Sequence, residues 1–207
     1  LLSGGNSVEF IVSYVSSISL YGGLYKVYTI YTLFFMIMIL VIINKCNAQK
    51  ITKGTRAGYI NKLTIQILLS AILVSFLFNL IELLCIHQHF TAKMLWDVRY
   101  YFAQLLDFLH FILCFFILGQ FFILLYVITQ KSWVSAFLVI VTGIGIMFLD
   151  YPLLFYQVDV FQNLYGTYSD HLLHFSSWCW MMIRFGIVSF ILYEISKKCF
   201  QRRSLLK

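Results

Sequence analysis

The sequence predicts an all-α integral membrane protein with five transmembrane helices, its N-terminus outside and its C-terminus cytoplasmic. Three observations predict it. Only 23 of the 207 residues are charged (15 Lys and Arg, 8 Asp and Glu), or 11%, where a soluble domain carries about a quarter. Hydrophobic residues make up 61% of the chain and aromatics 19%, with a mean hydropathy of +0.88. The chain holds one Pro, Pro152, which favours long uninterrupted helices over a loop-rich fold. These numbers leave too little charge to coat a soluble globule. They also exclude disorder and, despite the net charge of +7, a nucleic-acid module.

Residues 1–24 precede the first span. Ser3-Gly4-Gly5-Asn6-Ser7 is turn-like, and Val8, Phe10 and Val12 alternate with other residues. The segment is either the end of an external domain or an amphipathic lead-in to the first helix. Residue 1 is Leu, and no charged n-region precedes an apolar stretch, so no signal peptide is read. Both ends are expected to be cut.

A bilayer core of about 30 Å needs about 20 apolar residues. Five stretches qualify within a bundle over 25–200: about 25–44, 63–87, 101–129, 133–156 and 172–196. The third is long enough to tilt or to extend past the membrane. Gln130-Lys131-Ser132 links the third and fourth, which demands a tight hairpin and antiparallel packing. Residues 201–207 form a basic tail or loop.

Charge sets the orientation. Lys45, Lys50, Lys53, Arg56 and Lys62 lie between the first two spans, Lys131 in the short linker, and Lys197, Lys198, Arg202, Arg203 and Lys207 after the fifth span. The opposite side holds Lys26, Lys93 and Arg99 against Glu9, Asp97, Asp159 and Asp170. The positive-inside rule places the basic side in the cytoplasm or its equivalent.

Charges inside hydrocarbon ask for a partner or a wet cavity. They are Glu82 in the second span, Asp107 in the third, Asp150 in the fourth and Arg184 in the fifth, with His110 one turn beyond Asp107. Asp107 and His110 are i and i+3 and share a helical face. Arg184 lies about 18 Å below the start of its span. By depth, Asp107 and Glu82 are its expected partners. Asp150, beside Tyr151 and Pro152, stands at the rim. The set Glu82, Asp107, His110 and Arg184 is either a polar pocket opening outward or an ion-pair network that fixes helix register.

Other residues carry weaker signals. His87, His89, His171 and His174 fall on the external side, yet no Cys or carboxylate completes a metal spacing. Gly119, Gly143, Gly145 and Gly186 sit in apolar helices, where small residues allow close helix contact. Trp133, Trp178 and Trp180 fit an interfacial aromatic belt, while Trp96 belongs to an external loop. Five Cys, none in a C-x-x-C pair, signal neither zinc nor a closed disulfide framework. Cys85 and Cys179 fall near one membrane face, where a disulfide or two free thiols are the alternatives. No catalytic motif appears, so no enzyme, cofactor or metal is expected.

Three stretches, in order, carry a family resemblance. Leu105-Leu106-Asp107 leads to Ile117-Leu118-Gly119-Gln120-Phe121. Tyr156-Gln157-Val158-Asp159 precedes Leu164-Tyr165-Gly166-Thr167-Tyr168-Ser169. Met182-Ile183-Arg184 is followed by Phe190, Tyr193 and a basic tail. From about Ile81 onward the chain resembles the intimal-thickness-receptor-like family of GOLD-domain seven-transmembrane, rhodopsin-like receptor proteins. Gly119 is followed by Gln-Phe where the family has a basic residue and a second Gly. The resemblance implies that the chain holds the first five spans of a seven-helix bundle, preceded by an external β-rich domain. It also implies an orphan receptor-like or trafficking role in the plasma membrane or secretory pathway.

The expected partners are the lipid bilayer, other membrane proteins or a missing part of the same chain, and an unknown small ligand, with no nucleic acid. The competing reading is a five-span accessory subunit of a large membrane complex, such as a respiratory assembly of the mitochondrial inner membrane. A transporter ranks below both, because the inner half of the spans holds almost no ionisable group.

Overall fold

The computed structural model describes residues 30–47, 56–97, 99–148 and 175–203. They form six helices: α1 (Thr32–Asn47), α2 (Arg56–His87), α3 (Ala92–Asp97), α4 (Tyr100–Thr129), α5 (Ser132–Phe148) and α6 (Phe175–Arg203). No strand occurs among the described residues. The lead-in 1–24, Asp150, His171, His174 and the segment 156–169 lie outside the described residues, as does the end of the basic tail.

Two helices, Gly58–His87 and Tyr100–Thr129, are long and apolar enough to cross a membrane, while Thr32–Ile43 and Ser132–Gly145 are shorter apolar helices. The helices run further than the apolar stretches alone require. α2 begins at Arg56 and α6 continues to Arg203, so Lys62, Lys197 and Lys198, expected in linkers, are helical. Lys, Arg and Gln are good helix formers, and a change from apolar to basic side chains does not by itself stop a helix. The 32 residues of α2 span about 48 Å. The link between α2 and α4, expected as a loop, contains α3, which is pinned by fully buried Leu95 while Trp96 stays exposed.

α4 is the central element and touches each of the other five helices. Of its most apolar stretch 56% is buried, against 33% for α2, so α4 is enclosed while α2 is covered on one side. Ile60, Leu63, Ile67, Ala71 and Val74 of α2 are buried at spacings of three and four, the stripe of a helix packed along one face. The opposite face, with Ile65, Leu69, Leu73 and Phe76, is exposed. An apolar outer face of that breadth calls for a covering other than water.

Short-range chemistry fixes the turns. Gln130 takes a left-handed conformation (φ 59°) and donates its N–H to the Tyr126 carbonyl at 2.9 Å, which closes α4. Thr129 Oγ1 and Ser135 Oγ are 2.8 Å apart, and the Ser135 hydroxyl also donates to the Lys131 carbonyl. The α4–α5 hairpin is thus antiparallel and tight.

Register follows from three cross-helix contacts. Asn79 meets Gln104, His87 meets Tyr101, and Gly119 lies against Ile67, so α2 and α4 are antiparallel. At the other end the Tyr193 hydroxyl donates to Asn61 Oδ1 at 2.7 Å, and Tyr59 stacks on Phe200 with centroids 6.0 Å apart. The start of α2 and the end of α6 therefore meet, which gathers their basic residues at one end.

Glycine behaves unevenly. A Cβ on Gly119 would collide with Ile67 Cγ2 and would stand 3.5 Å from Phe35 Cζ, whereas Gly145 and Gly186 have nothing within 4 Å of that position. Close helix contact is thus observed at Gly119 and not at Gly145 or Gly186, because their faces turn away from the described helices. Cys85 and Cys179 are free thiols, which resolves the disulfide alternative.

Candidate functional site

Three helices meet around Tyr31, at the entry to α1. Its ring stacks on Phe78 of α2 (centroids 3.6 Å, 14°) and takes an edge contact from Phe111 of α4 at 6.3 Å. This packing aims the phenol hydroxyl at α2, where it donates to Glu82 Oε1 at 3.2 Å. Asp107 lies one turn before Phe111 on the same face of α4, the face that Phe111 turns to Tyr31. Glu82 is half-buried, and Asp107 is 5% exposed. Carboxylates from two helices thus lie on the faces that enclose one phenol, and one of them accepts its hydrogen bond.

Helical spacing extends the cluster. Ser75, Asn79 and Glu82 follow one face of α2 at intervals of four and three. The Asn79 amide donates to the Ser75 carbonyl at 3.0 Å. In turn the Gln104 amide of α4 donates to Asn79 Oδ1 at 2.6 Å. Gln104 precedes Asp107 by three residues, so this amide bridge lies one turn from the carboxylates. Tyr101 Oη and His87 Nε2 are 3.2 Å apart where α2 and α4 meet at that end.

His110 is fully buried. Its Nε2 shares a hydrogen bond with Cys114 Sγ at 3.3 Å, with the donor set by the imidazole tautomer. Its ring lies 5.3 Å from that of Phe185 of α6, and Nδ1 has no hydrogen-bond partner. The structure therefore brings Glu82 to Tyr31, places Asp107 one turn from the Phe111–Tyr31 contact and turns His110 toward α6.

Arg184 does not join them. It is exposed on α6, and no ion pair links it to Asp107 or Glu82. Depth along the helices suggests Asp107 and Glu82 as its partners. Helix rotation decides the contact, and on α6 the face toward α4 carries Phe185 and Ser189, both buried. Asp150 lies outside the described residues. Among the described residues no group of three or more His, Cys, Asp and Glu is placed to hold a metal ion.

Reading charges alone misses Tyr31, Asn79 and Gln104. Their signal is present in the sequence, because an amide in an apolar helix must also find a partner. Gln120 carries the same signal further along α4. It is fully buried, and neither atom of its amide has a hydrogen-bond partner. Thr64 Oγ1 and Ser196 Oγ are likewise buried without one.

Among the described residues the fold is all-helical, with two helices long and apolar enough to cross a membrane and a polar cluster enclosed among the helices. No family model, curated protein or solved structure matches the chain.

Proposed function

We propose that the chain is a five-span, receptor-like integral membrane protein that takes a small cation at the Tyr31–Glu82–Asp107 cluster in the outer half of its bundle. The observation that supports this reading is the bond of the Tyr31 phenol to Glu82 of α2, with buried Asp107 on the face of α4 that Phe111 turns to the same phenol. Carboxylates in hydrocarbon repel one another and cost several kcal/mol each, on the order of 2–3 at least, so a cation between them lowers the free energy of the packed state. Gathering of basic residues at the Tyr59–Phe200 end supports a cytoplasmic position for that end, which leaves the cluster toward the outside. The resemblance from Ile81 onward supports the receptor-like class and a place in the plasma membrane or secretory pathway.

The test is the melting temperature of the purified full chain titrated with sodium ion and with a panel of small primary and quaternary amines. At least one cation raises the melting temperature of the wild type and leaves Glu82→Gln and Asp107→Asn unmoved. An unchanged wild type, or an equal shift in both variants, overturns the reading.

A second reading, an accessory subunit of a large membrane complex such as a respiratory assembly, is favoured by one observation. Arg184, the charge expected inside the bundle, faces outward among exposed apolar side chains.

A further inference from the structure

α6 has two unlike faces. Phe185, Ser189 and Ser196 are buried toward the bundle. On the far side Trp180, Arg184, Ile187, Ile191 and Ile195 recur at steps of four, three, four and four, so they form one continuous stripe. Trp180 is 65% exposed, Ile187 53%, Ile191 48% and Ile195 42%. Steps of three and four over this length are those of a seam that seats another helix.

Arg184 interrupts the stripe with a charge. It lies nine residues after Phe175 and thirteen before Lys197, or about 14 Å and about 20 Å along the axis. Both distances set it well inside a bilayer core of about 30 Å. Further along α6, Lys197 pairs with Glu194 at 3.9 Å and lies over the Tyr193 ring. Arg184 has no such partner among the described residues. Lipid tails would cover the isoleucines equally well, but they leave the guanidinium unpaired. A carboxylate on a neighbouring helix satisfies it through two parallel hydrogen bonds. A second copy of α6 in parallel would set Arg184 against Arg184, so this seam does not favour self-association.

We infer that the Trp180–Arg184–Ile187–Ile191–Ile195 stripe of α6 docks a transmembrane helix of a separate membrane protein, one that presents an Asp or Glu to Arg184 from an apolar face. The inference rests on the membrane-spanning reading and is independent of the cation site.

The experiment places a photo-crosslinking amino acid at Ile187 of the full chain in its native membrane, with Arg184 intact, Arg184→Lys or Arg184→Glu. Irradiation joins the wild type and Arg184→Lys to one membrane protein, and Arg184→Glu lowers that yield about tenfold or more, as loss of a charge pair worth about 1.4 kcal/mol requires. Reversing the partner's carboxylate to Lys restores the crosslink to Arg184→Glu. Crosslinks to lipid alone, or a yield indifferent to Arg184→Glu in a chain that still melts cooperatively, overturn the inference. A separate Ile187→Cys variant isolates the membrane reading. Rapid reaction of that thiol with an impermeant maleimide puts the stripe in water and defeats both, whereas protection with no protein crosslink defeats the docking inference alone.

Discussion

The Tyr31 hydroxyl donates to Glu82 Oε1 at 3.2 Å, across 51 residues of sequence. That bond ties the entry of α1 to the end of α2, and the stacked Phe78 ring holds it in line. Tyr31→Phe keeps the stack and removes the donor. It is expected to lower stability by about 1–3 kcal/mol, because Glu82 then loses a hydrogen bond to a charged group. Thermal unfolding of the purified chain in detergent measures it, and an unchanged midpoint would show that the bond contributes nothing.

Asn79 and Gln104 form an amide pair whose members depend on each other. Asn79→Leu or Gln104→Leu alone strands a buried amide and is expected to destabilise by about 1–2 kcal/mol. The double variant is expected to lie closer to the wild type than either single one. A double-mutant cycle gives the coupling directly, and strict additivity would contradict the pairing.

Gly119 and Gly186 respond in opposite ways to alanine. Gly119→Ala drives a Cβ into Ile67 and is expected to cost about 1–3 kcal/mol by overpacking. Pairing it with Ile67→Ala is expected to recover part of the loss. Gly186 has nothing within 4 Å of the new atom, so Gly186→Ala is expected to be neutral in the isolated chain, or stabilising by up to about 1 kcal/mol through helix propensity. Paired melting curves of the variants decide it.

Gln120→Leu is expected to stabilise the fold. The side chain is fully buried and both amide atoms lack partners, so an apolar side chain of similar size removes a desolvation cost of about 1–3 kcal/mol. A drop in melting temperature would mean instead that the amide is satisfied by bound water.

The two ends of the bundle are expected to label from opposite sides. His89→Cys and Lys131→Cys lie at opposite ends of α4's length, past α2 and in the α4–α5 turn respectively. In intact cells an impermeant maleimide is expected to reach residue 89 and not residue 131 until the membrane is opened. The native Cys residues are replaced beforehand. The reverse pattern would invert the orientation proposed from the basic residues.

Much of the architecture was legible in the chain because it follows from local properties. Runs of Phe, Leu and Ile without charge dictate helices, and α4 spans Tyr100–Thr129, one residue from the stretch that hydropathy delimits. The Gln130-Lys131-Ser132 linker dictates a hairpin because so short a segment leaves no other path. The boundaries of α2 and α6 were less legible, since Lys and Arg end an apolar run without ending a helix. Depth along each axis follows from 1.5 Å per residue, so the sequence by itself suggested Asp107 and Glu82 as partners of Arg184. Rotation about each axis is different. It depends on which side chains interlock between helices, such as Gly119 beneath Ile67, Phe78 against Tyr31 and Phe185 against His110. In a chain apolar on nearly every face, the pattern does not mark which face turns inward. Only the tertiary structure decided that Glu82 meets Tyr31 and that Arg184 turns out of the bundle, because that choice is made by packing between helices far apart in sequence.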